Sequence, residues 1–502
     1  MARRPFLALA LALTASGVAG CLYSPKGRCD TRADCAASEV CEGGVCVPSK
    51  SGGVDPTSFT TVTWNKLEGW SGATFAVDSV GADLAGNVVV AGAVDAAFDF
   101  DPGAMVTVAT GAFALKRAVA DGAALWAVSF PTFAHGQLKT AVLADGDVFF
   151  AGTAFEPTTI GTCAPLVPLT GNALVFGRLA GTDGSCRWSS AVDDTHPTSE
   201  LVPIAVAVRG AGDLVVAGTG SGNFGCLSGD TADQTFAAAL SGTDGTCLWS
   251  RGFGTTTLSD IEPSGATTVV VAGVCTPAGA SFDPGGATTC TKGLFVAELS
   301  GANGATGSLR TTSGAGTVAD VYDLAIAPNG RTTVVGDASG VVNFGGGSID
   351  FGDAVASFAV TFEPAGASTV VRPIESPYGT DPDAVAFSRC TYDRTGRLWI
   401  AGLYVGQPTL GGIRFSACRE PECRDAAFLA RLETSGAVSS FLPIRTGSPD
   451  GSRAAYVDDL VLFATTGTVA HALRFTGVGS VGSVPWTSKG DDLGVLRIEI
   501  VP

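Results

Sequence analysis

Apolar segments and short polar turns alternate along almost the whole chain. One phrase, a run of β-branched or other apolar residues ending in glycine, recurs at 84–92, 144–152, 210–218, 264–273, 328–336 and 394–402. The run has no polar alternation, which predicts a strand that is buried on both faces. In five of the six copies another glycine stands six residues before the last one, where it predicts a tight turn.

A second phrase, in which apolar residues alternate with others, follows each copy of the first. It recurs at 112–126, 173–188, 235–249, 294–307, 357–368 and 427–438, and the first three copies end in Trp126, Trp188 and Trp249. A DG, NG, AG or SG step predicts a turn inside it. A further apolar segment, such as 204–208 or 323–327, precedes the first phrase. Each unit is therefore predicted to be four strands joined by hairpins, and no helical period is found.

The ends of the chain suggest how such units close on themselves. Residues 458–500 resemble a degenerate seventh unit that lacks its fourth strand, and 59–66, with Trp64, is an extra strand ahead of the first unit. We expect the N-terminal strand to complete the last unit. The prediction is an all-β protein, a seven-bladed β-propeller of four-stranded antiparallel blades over 59–502, with its ring closed by the N-terminal strand.

Three short segments carry a resemblance to a known family. The segments VVVAG (269–273), SFDPGG (281–286) and FVAEL (295–299) resemble the bacterial β-propeller repeat family. The resemblance implies the fold. It implies no particular chemistry, because propellers carry many unrelated functions.

The N-terminus has the pattern of an exported lipoprotein. Residues 1–20 read as a signal peptide, with two arginines, an apolar run and then small residues. Val18 to Cys21, VAGC, resembles a bacterial lipobox, which predicts that Cys21 is lipidated; the alternative is ordinary cleavage with Cys21 a plain thiol. Leu22 rather than an aspartate follows the cysteine, and in such lipoproteins this favours the outer membrane.

A small module and a linker are predicted between this anchor and the propeller. Residues 21–50 hold the lipidated cysteine and four further cysteines, Cys29, Cys35, Cys41 and Cys46, which two disulfides would staple. The module resembles small four-cysteine domains of the epidermal-growth-factor or Dickkopf type. A spacer is the preferred interpretation, with a recognition module and a zinc site as the alternatives. Residues 51–58 are predicted to be a linker.

The composition excludes some partners. The formal net charge is −17, with 15 % charged and 46 % hydrophobic residues. No cluster of lysine and arginine is present to neutralise phosphates, so we expect no nucleic-acid partner. The acidic chain is also expected to reach a membrane only through its lipid anchor.

The remaining cysteines predict local disulfides, as expected in an oxidising compartment. The candidate pairs are Cys163 with Cys186, Cys226 with Cys247, Cys275 with Cys290, and Cys418 with Cys423. Cys390 is left over on a predicted inner strand, where we expect a small buried residue.

Candidate chemistry is sparse. The three histidines fall in different units, and the sequence offers no catalytic residue and no cofactor motif. Asp99, Asp101 and Asp283 are weak calcium candidates, and an Asp-Pro-Gly turn is the preferred explanation of these aspartates. Counting seven residues back from the turn glycines gives Ser79, Lys139, Ala205 and Asp323. These four residues share no chemistry, so a symmetric site is not expected.

These observations predict a monomeric, lipid-anchored protein of the bacterial outer membrane, either periplasmic or surface-exposed. Its propeller is expected to be a binding platform for an unknown protein or glycan rather than an enzyme. The alternative is a hydrolase or lyase with its site in the central funnel. Convergent carboxylates with an arginine or histidine there would favour the enzyme, and a funnel lined by alanine, valine and threonine would exclude it.

Overall fold

The computed structural model describes only part of the chain. The described residues are 39–42, 45–48, 62–68, 74–101, 106–166, 172–193, 200–210, 212–220, 226, 235–254, 256–276, 280–282, 289–290, 292–364, 366–371, 384–393, 395–406, 408–411, 413–415, 426–433, 436–447, 463–465, 468–475, 478–481, 484–487 and 492–499. In 39–48, in 62–68 and beyond Ile444, the description is of the backbone alone. The chain divides into two compact units, Met1–Asp55 and Pro56–Pro502.

The first unit contributes one described hairpin. Its strands are β1 (Glu39–Glu42) and β2 (Val45–Pro48), and in their antiparallel register Cys41 lies opposite Cys46. The predictions for Cys21, Cys29 and Cys35, like the signal peptide and the linker, lie outside the described residues.

The second unit consists of antiparallel sheets, most of which are formed by strands that follow one another along the chain. It begins with β3 (Val62–Glu68). The strands that follow are β4 (Phe75–Ala82), β5 (Val88–Val94), β6 (Phe98–Asp99), β7 (Thr107–Val108), β8 (Gly111–Arg117), β9 (Ala124–Phe130), β10 (Lys139–Val142), β11 (Val148–Ala154), β12 (Ala173–Leu179), β13 (Cys186–Asp193), β14 (Val202–Arg209), β15 (Asp213–Thr219), β16 (Thr235–Leu240), β17 (Cys247–Gly252), β18 (Thr256–Ser264), β19 (Thr268–Cys275), β20 (Ala280–Ser281), β21 (Thr289–Cys290), β22 (Gly293–Ser300), β23 (Thr306–Thr311), β24 (Thr317–Ile326), β25 (Thr332–Ser339), β26 (Val341–Asn343), β27 (Ser348–Asp350), β28 (Ala356–Phe362), β29 (Ser368–Val371), β30 (Ala384–Tyr392), β31 (Leu398–Val405), β32 (Thr409–Leu410), β33 (Ile413–Arg414), β34 (Ala426–Leu432), β35 (Val438–Gly447), β36 (Phe463–Thr465), β37 (Thr468–Phe475), β38 (Val478–Val481), β39 (Val484–Thr487) and β40 (Asp492–Glu499).

Six of the sheets are propeller blades. Their strand orders are β4-β5-β8-β9, β10-β11-β12-β13, β14-β15-β16-β17, β18-β19-β22-β23, β24-β25-β28-β29 and β30-β31-β34-β35, and they are called blades 1 to 6 below. The first strands of consecutive blades contact one another, whereas the fourth strands do not, so the first strand is innermost. The second strand is buried along its whole length in blade 1, as its unbroken apolar run predicts. The all-β propeller fold is therefore confirmed.

The prediction of seven blades is wrong, because the structure has six. The degenerate seventh unit is divided between two sheets. Its hairpin β38–β39 adds to blade 6, which becomes six-stranded, and its inner strand β36 is only 3 residues long. The other strands form a closing sheet of order β3-β40-β37-β36.

The predicted pairing of the chain ends is nevertheless present. Strand β3 pairs with β40 in antiparallel register, with Trp64 opposite Arg497. The closing sheet contacts β30 on one side and β4 on the other, so it fills the space between blades 6 and 1.

Tryptophan side chains join the first four blades. The indole Nε1 of Trp126, Trp188 and Trp249 donates a hydrogen bond to the carbonyl oxygen of Gly181, Gly242 and Gly301, each in the next blade, at 3.1, 3.0 and 2.6 Å. The ring covers the glycine of that blade's DG or NG turn: a Cβ at Gly304 would lie 2.7 Å from Trp249. The polar end of each indole is thus satisfied while its ring is packed between blades.

The glycine that ends the first phrase has a packing role rather than a turn role. In five blades an added Cβ would meet a backbone carbonyl oxygen of the inner strand at 1.9–2.5 Å, at Gly92, Gly218, Gly273, Gly336 and Gly402. The inner strand has a β-bulge at the same place, for example between Leu258 and Asp260. The bulge brings the two backbones together and re-aims the residue that follows it.

Three predicted disulfides are present: Cys163–Cys186, Cys226–Cys247 and Cys275–Cys290. Cys390 is a buried free cysteine. Cys418 and Cys423 lie outside the described residues. Within the described part of the chain, no helix is both long enough and apolar enough to span a membrane.

Candidate functional site

The repeat brings one position of each inner strand to an equivalent place. This first inner position pairs with the residue that precedes the closing glycine, and across blades 1 to 6 it is occupied by Ser79, Lys139, Ala205, Asp260, Asp323 and Arg389. The types of side chain at this position differ from blade to blade. Blades 4, 5 and 6 contribute two carboxyl groups and a guanidinium in succession.

Only four of these six residues were identified from the sequence. Counting back from the turn glycine found Asp323 but missed Asp260, because in blade 4 the turn glycine, Gly265, lies eight residues before Gly273 instead of six. Arg389 lies seven residues before the turn glycine Gly396 and was left out of that count, and counting back from the closing glycine reaches both Asp260 and Arg389. The charged residues of the first inner position thus form an asymmetric cluster.

Residues two places further along define a second inner position. In blades 1 to 6 it is occupied by Gly81, Ala141, Ala207, Glu262, Ala325 and Thr391. Five of these side chains are small. Asp260 and Glu262 are two apart on β18 and so project from the same face of the strand, opposite to buried Ile261.

A cavity of about 130 Å³ opens beside these residues. It is lined by Glu262, Asp323, Leu324, Ala325, Ile326, Arg389, Cys390 and Thr391, which lie on the inner strands of blades 4, 5 and 6. The cavity lies where three consecutive blades meet, and its charged groups all come from the two inner positions.

Backbone hydrogen bonds orient the two aspartates. Asp260 accepts from the N–H of Ile261 at 2.8 Å and from that of Leu324, in the next blade, at 3.1 Å. Asp323 likewise accepts from the N–H of Cys390 at 2.6 Å. Each carboxyl group therefore accepts a hydrogen bond from a backbone N–H of the inner strand in the next blade, which fixes it between the two strands.

The carboxyl groups of Asp260 and Asp323 lie close enough for each to act on the ionisation of the other. Two adjacent carboxyl groups do not both ionise readily, because like charges repel. Burial raises the pKa of both residues, and in Asp323 the neighbouring Asp260 charge raises it further. The Arg389 guanidinium opposes the rise in both, so the pair titrates as one unit at elevated pH.

Glu262 lies beside this pair, and among the described residues no group of opposite charge forms an ion pair with it. Burial raises its pKa well above the usual range, and the Asp260 carboxylate adds to that rise. The Cys390 thiol is also kept neutral, since burial first and the Asp323 charge second raise its pKa well above the usual value. A neutral thiol that is bonded to the Thr333 carbonyl is a poor nucleophile.

The calcium candidates behave as turn residues where they are described. Asp99 accepts a hydrogen bond from the N–H of Asp101 at 3.1 Å, which is the bond of an Asx turn. Asp283 lies outside the described residues. Across the described ranges no group of three or more histidine, cysteine, aspartate or glutamate side chains has a geometry that could hold a metal ion.

The partly buried carboxyl group of Glu262 gives a test of this electrostatic description. We expect Glu262→Gln to be more stable than the unchanged protein at pH 8, with the difference vanishing below about pH 4.5. A raised folded-state pKa means that the folded protein keeps a proton which the unfolded chain has released. The folded protein therefore loses stability as the pH rises from the ordinary pKa of a glutamate to the raised pKa of Glu262 in the folded state. Glutamine does not ionise, so the Glu262→Gln protein does not show this loss. Urea unfolding between pH 4 and 9 measures the difference.

Asp147 supplies the control of opposite sign. Burial opposes its ionisation, but hydrogen bonds from Arg187, Gly181 and Arg178 outweigh burial and hold its pKa below the usual value. Asp147→Asn should thus lose stability at neutral pH and approach the unchanged protein in acid. A Glu262→Gln protein that is no more stable at pH 8 would contradict the description.

The fold and the cavity together define the protein as a β-propeller with a polar pocket between its inner strands. No family model matches the chain, and no curated protein matches it. Similar solved structures include the WD40 repeats of RRP9, at 7 % identity and a TM-score of 0.46, covering 88 % of this chain and 99 % of that one. BamB from Moraxella catarrhalis has 10 % identity and a TM-score of 0.39, with 86 % and 100 % covered. Likeness at this level says nothing about partner, substrate or activity.

Proposed function

We propose that this is a lipid-anchored protein of the bacterial outer membrane whose propeller binds a ligand in the cavity between blades 4, 5 and 6. One observation carries the proposal: the carboxyl groups of Glu262 and Asp323 and the guanidinium of Arg389, which come from the two inner positions, line one cavity of about 130 Å³. Elsewhere in the ring the second inner position holds small, uncharged residues. Burying charged groups costs free energy unless something compensates for it, and a bound ligand is such compensation.

The ligand is expected to be one exposed group of an envelope protein or glycan. A cavity of this size admits a single residue or sugar ring and not a folded domain. Recognition would be polar, since Asp323, Arg389 and Thr391 lie on its walls beside the aliphatic parts of β24. The propeller supplies a rigid frame for these side chains, because each comes from an inner strand held in a blade.

Binding can be tested with the full-length protein purified in detergent and applied to arrays of envelope glycans and peptides. We expect a signal that Asp323→Asn removes and that Asp353→Asn, at an exposed aspartate of the same blade, preserves. A signal that survives both Asp323→Asn and Arg389→Met would place the binding surface elsewhere and overturn the proposal.

The adjacent carboxyl groups of Asp260 and Asp323 favour a second candidate, a hydrolase or lyase. Two carboxyl groups that share one proton can act as a general acid and a general base. An arginine beside convergent carboxylates is the arrangement expected of the enzyme alternative. Mass spectrometry of array ligands after incubation distinguishes the two: an enzyme yields new products that Asp260→Asn abolishes, whereas a binding protein leaves the ligands unchanged.

The lipid anchor has its own test. Cys21→Ser should abolish the incorporation of labelled palmitate and release the protein from the membrane fraction, because the acyl chains supply most of the membrane affinity. Cys390→Ser, which changes a buried thiol outside the lipobox, is the control and should remain labelled. Labelling that persists in Cys21→Ser would contradict lipidation at this residue. Protease added to intact cells would then show which side of the outer membrane the propeller faces.

A further inference from the structure

Glu262 breaks the pattern of its repeat. The equivalent residues in the other five blades are Gly81, Ala141, Ala207, Ala325 and Thr391, none of which carries a charge. Because the neighbouring residues at this position are small, they leave space beside Glu262, and this space is the cavity. The position is thus one at which the propeller fold itself needs no carboxylate.

The surroundings of Glu262 leave its charge uncompensated. Among the described residues, none makes a hydrogen bond or an ion pair with its carboxyl group, which lines the cavity. The nearest charge is Asp260, of the same sign, and this charge opposes the ionisation of Glu262. Other buried carboxylates are treated differently: Asp83 pairs with Lys116 at 2.9 Å and Asp147 with Arg178 at 2.8 Å.

The guanidinium across the cavity does not balance the site. Arg389 Nη1 already donates to the carbonyl oxygens of Tyr322 at 3.1 Å and Ser388 at 2.9 Å. Three carboxyl groups, those of Asp260, Glu262 and Asp323, stand against this one cation. Among the described residues, the lining of the cavity therefore holds more carboxyl groups than cations, and an anionic occupant would add to the imbalance.

We propose that the cavity binds a primary ammonium group, which donates hydrogen bonds to the carboxyl groups of Glu262 and Asp323 on its walls. An ammonium carries three donors and one positive charge, which match this set of acceptors. A metal ion fits less well, because the described residues include no group with metal-binding geometry. The inference rests on the cavity being the binding site and specifies the class of ligand: an amino sugar or an amine-bearing residue.

A matched pair of sugars tests the ammonium. Glucosamine and N-acetylglucosamine share one ring and differ in whether the nitrogen is charged. Calorimetric titration of the full-length protein in detergent at pH 7 should show glucosamine binding at least tenfold more tightly. Glu262→Gln should abolish this preference, and Asp353→Asn should retain it. Because Glu262→Gln is expected to stabilise the fold at neutral pH, lost binding would not be the result of unfolding.

Other outcomes overturn the proposal in distinguishable ways. Equal binding of the two sugars, no binding of either, or a preference that survives Glu262→Gln would each exclude the ammonium. Competition of calcium chloride with glucosamine, lost in Glu262→Gln, would show a cation site of the wrong class. If the array ligand still depends on Asp323 in these cases, only the ammonium inference fails. If that dependence is also absent, the proposed function fails with it.

Discussion

Replacing Trp249 with alanine is expected to lower the free energy of unfolding by about 3–5 kcal/mol, the usual range for truncating a buried tryptophan. The side chain is 5 % exposed and lies at the junction of blades 3 and 4. Its ring covers Gly304, and its Nε1 donates to the Gly301 carbonyl at 2.6 Å. Truncation opens a cavity between blades and removes one of the two donors of that carbonyl oxygen, which still accepts from the Arg209 guanidinium.

Two variants separate the contributions. Trp249→Phe keeps most of the ring but removes the N–H group, and we expect a loss of about 1–3 kcal/mol. Leu248→Ala changes the adjacent residue, which is 44 % exposed, and should remain within about 0.5 kcal/mol of the unchanged protein. Urea unfolding, followed by tryptophan fluorescence and circular dichroism, measures all three. A Trp249→Ala protein as stable as Leu248→Ala would show that the indole does not hold the blades together.

Much of the fold could be predicted because the repeat states the same information several times. An unbroken apolar run such as 88–90 can only be a strand buried on both faces, and Gly122, Gly184 and Gly245 have the positive φ that the DG turns predict. The pairing of β3 with β40 also followed from simple counting of strands. Local patterns thus specify strands, turns and their order.

The number of blades could not be predicted, because it depends on how the weakest unit pairs. The segments of 458–500 have the apolar character of strands, but that character does not choose a neighbour. In the structure β38 pairs with β35 and extends blade 6, whereas β37 pairs with β40. Edge strands accept either partner through the same backbone hydrogen bonds, so pattern alone leaves the assignment open.

The candidate site could not be predicted from the sequence for a different reason. Along the chain, Asp323 follows Asp260 by more than sixty residues, and Arg389 follows Asp323 by more than sixty. Their proximity comes from their equivalent register in the blades and not from any motif. The longer turn of blade 4 shifts the count by two and hides Asp260. The closing glycines were the better reference, because in five blades the glycine is fixed opposite a bulge by the contact of two backbones.

That contact leads to the last prediction, Gly273→Ala. A Cβ at this position would lie 2.0 Å from the carbonyl oxygen of Thr257, a backbone atom that cannot rotate away. Strand β18 would have to move, and overpacking of this kind costs about 1–3 kcal/mol or more. The bulge between Leu258 and Asp260 lies at the point of contact, so the movement would also displace Asp260 from Asp323. We therefore expect lower stability together with loss of ligand binding.

Gly307→Ala is the matched control for that change. Gly307 lies on β23 of the same blade, and its added Cβ would approach only the Glu298 carbonyl oxygen, at an ordinary 3.6 Å. Alanine restricts the unfolded chain, so this variant should be neutral or up to about 1 kcal/mol more stable, and should bind as before. If Gly273→Ala matched it in stability and in binding, the closing glycine would not be needed by the bulge. If instead it folded stably yet no longer bound ligand, the bulge would be established as the feature that connects the repeat to the site.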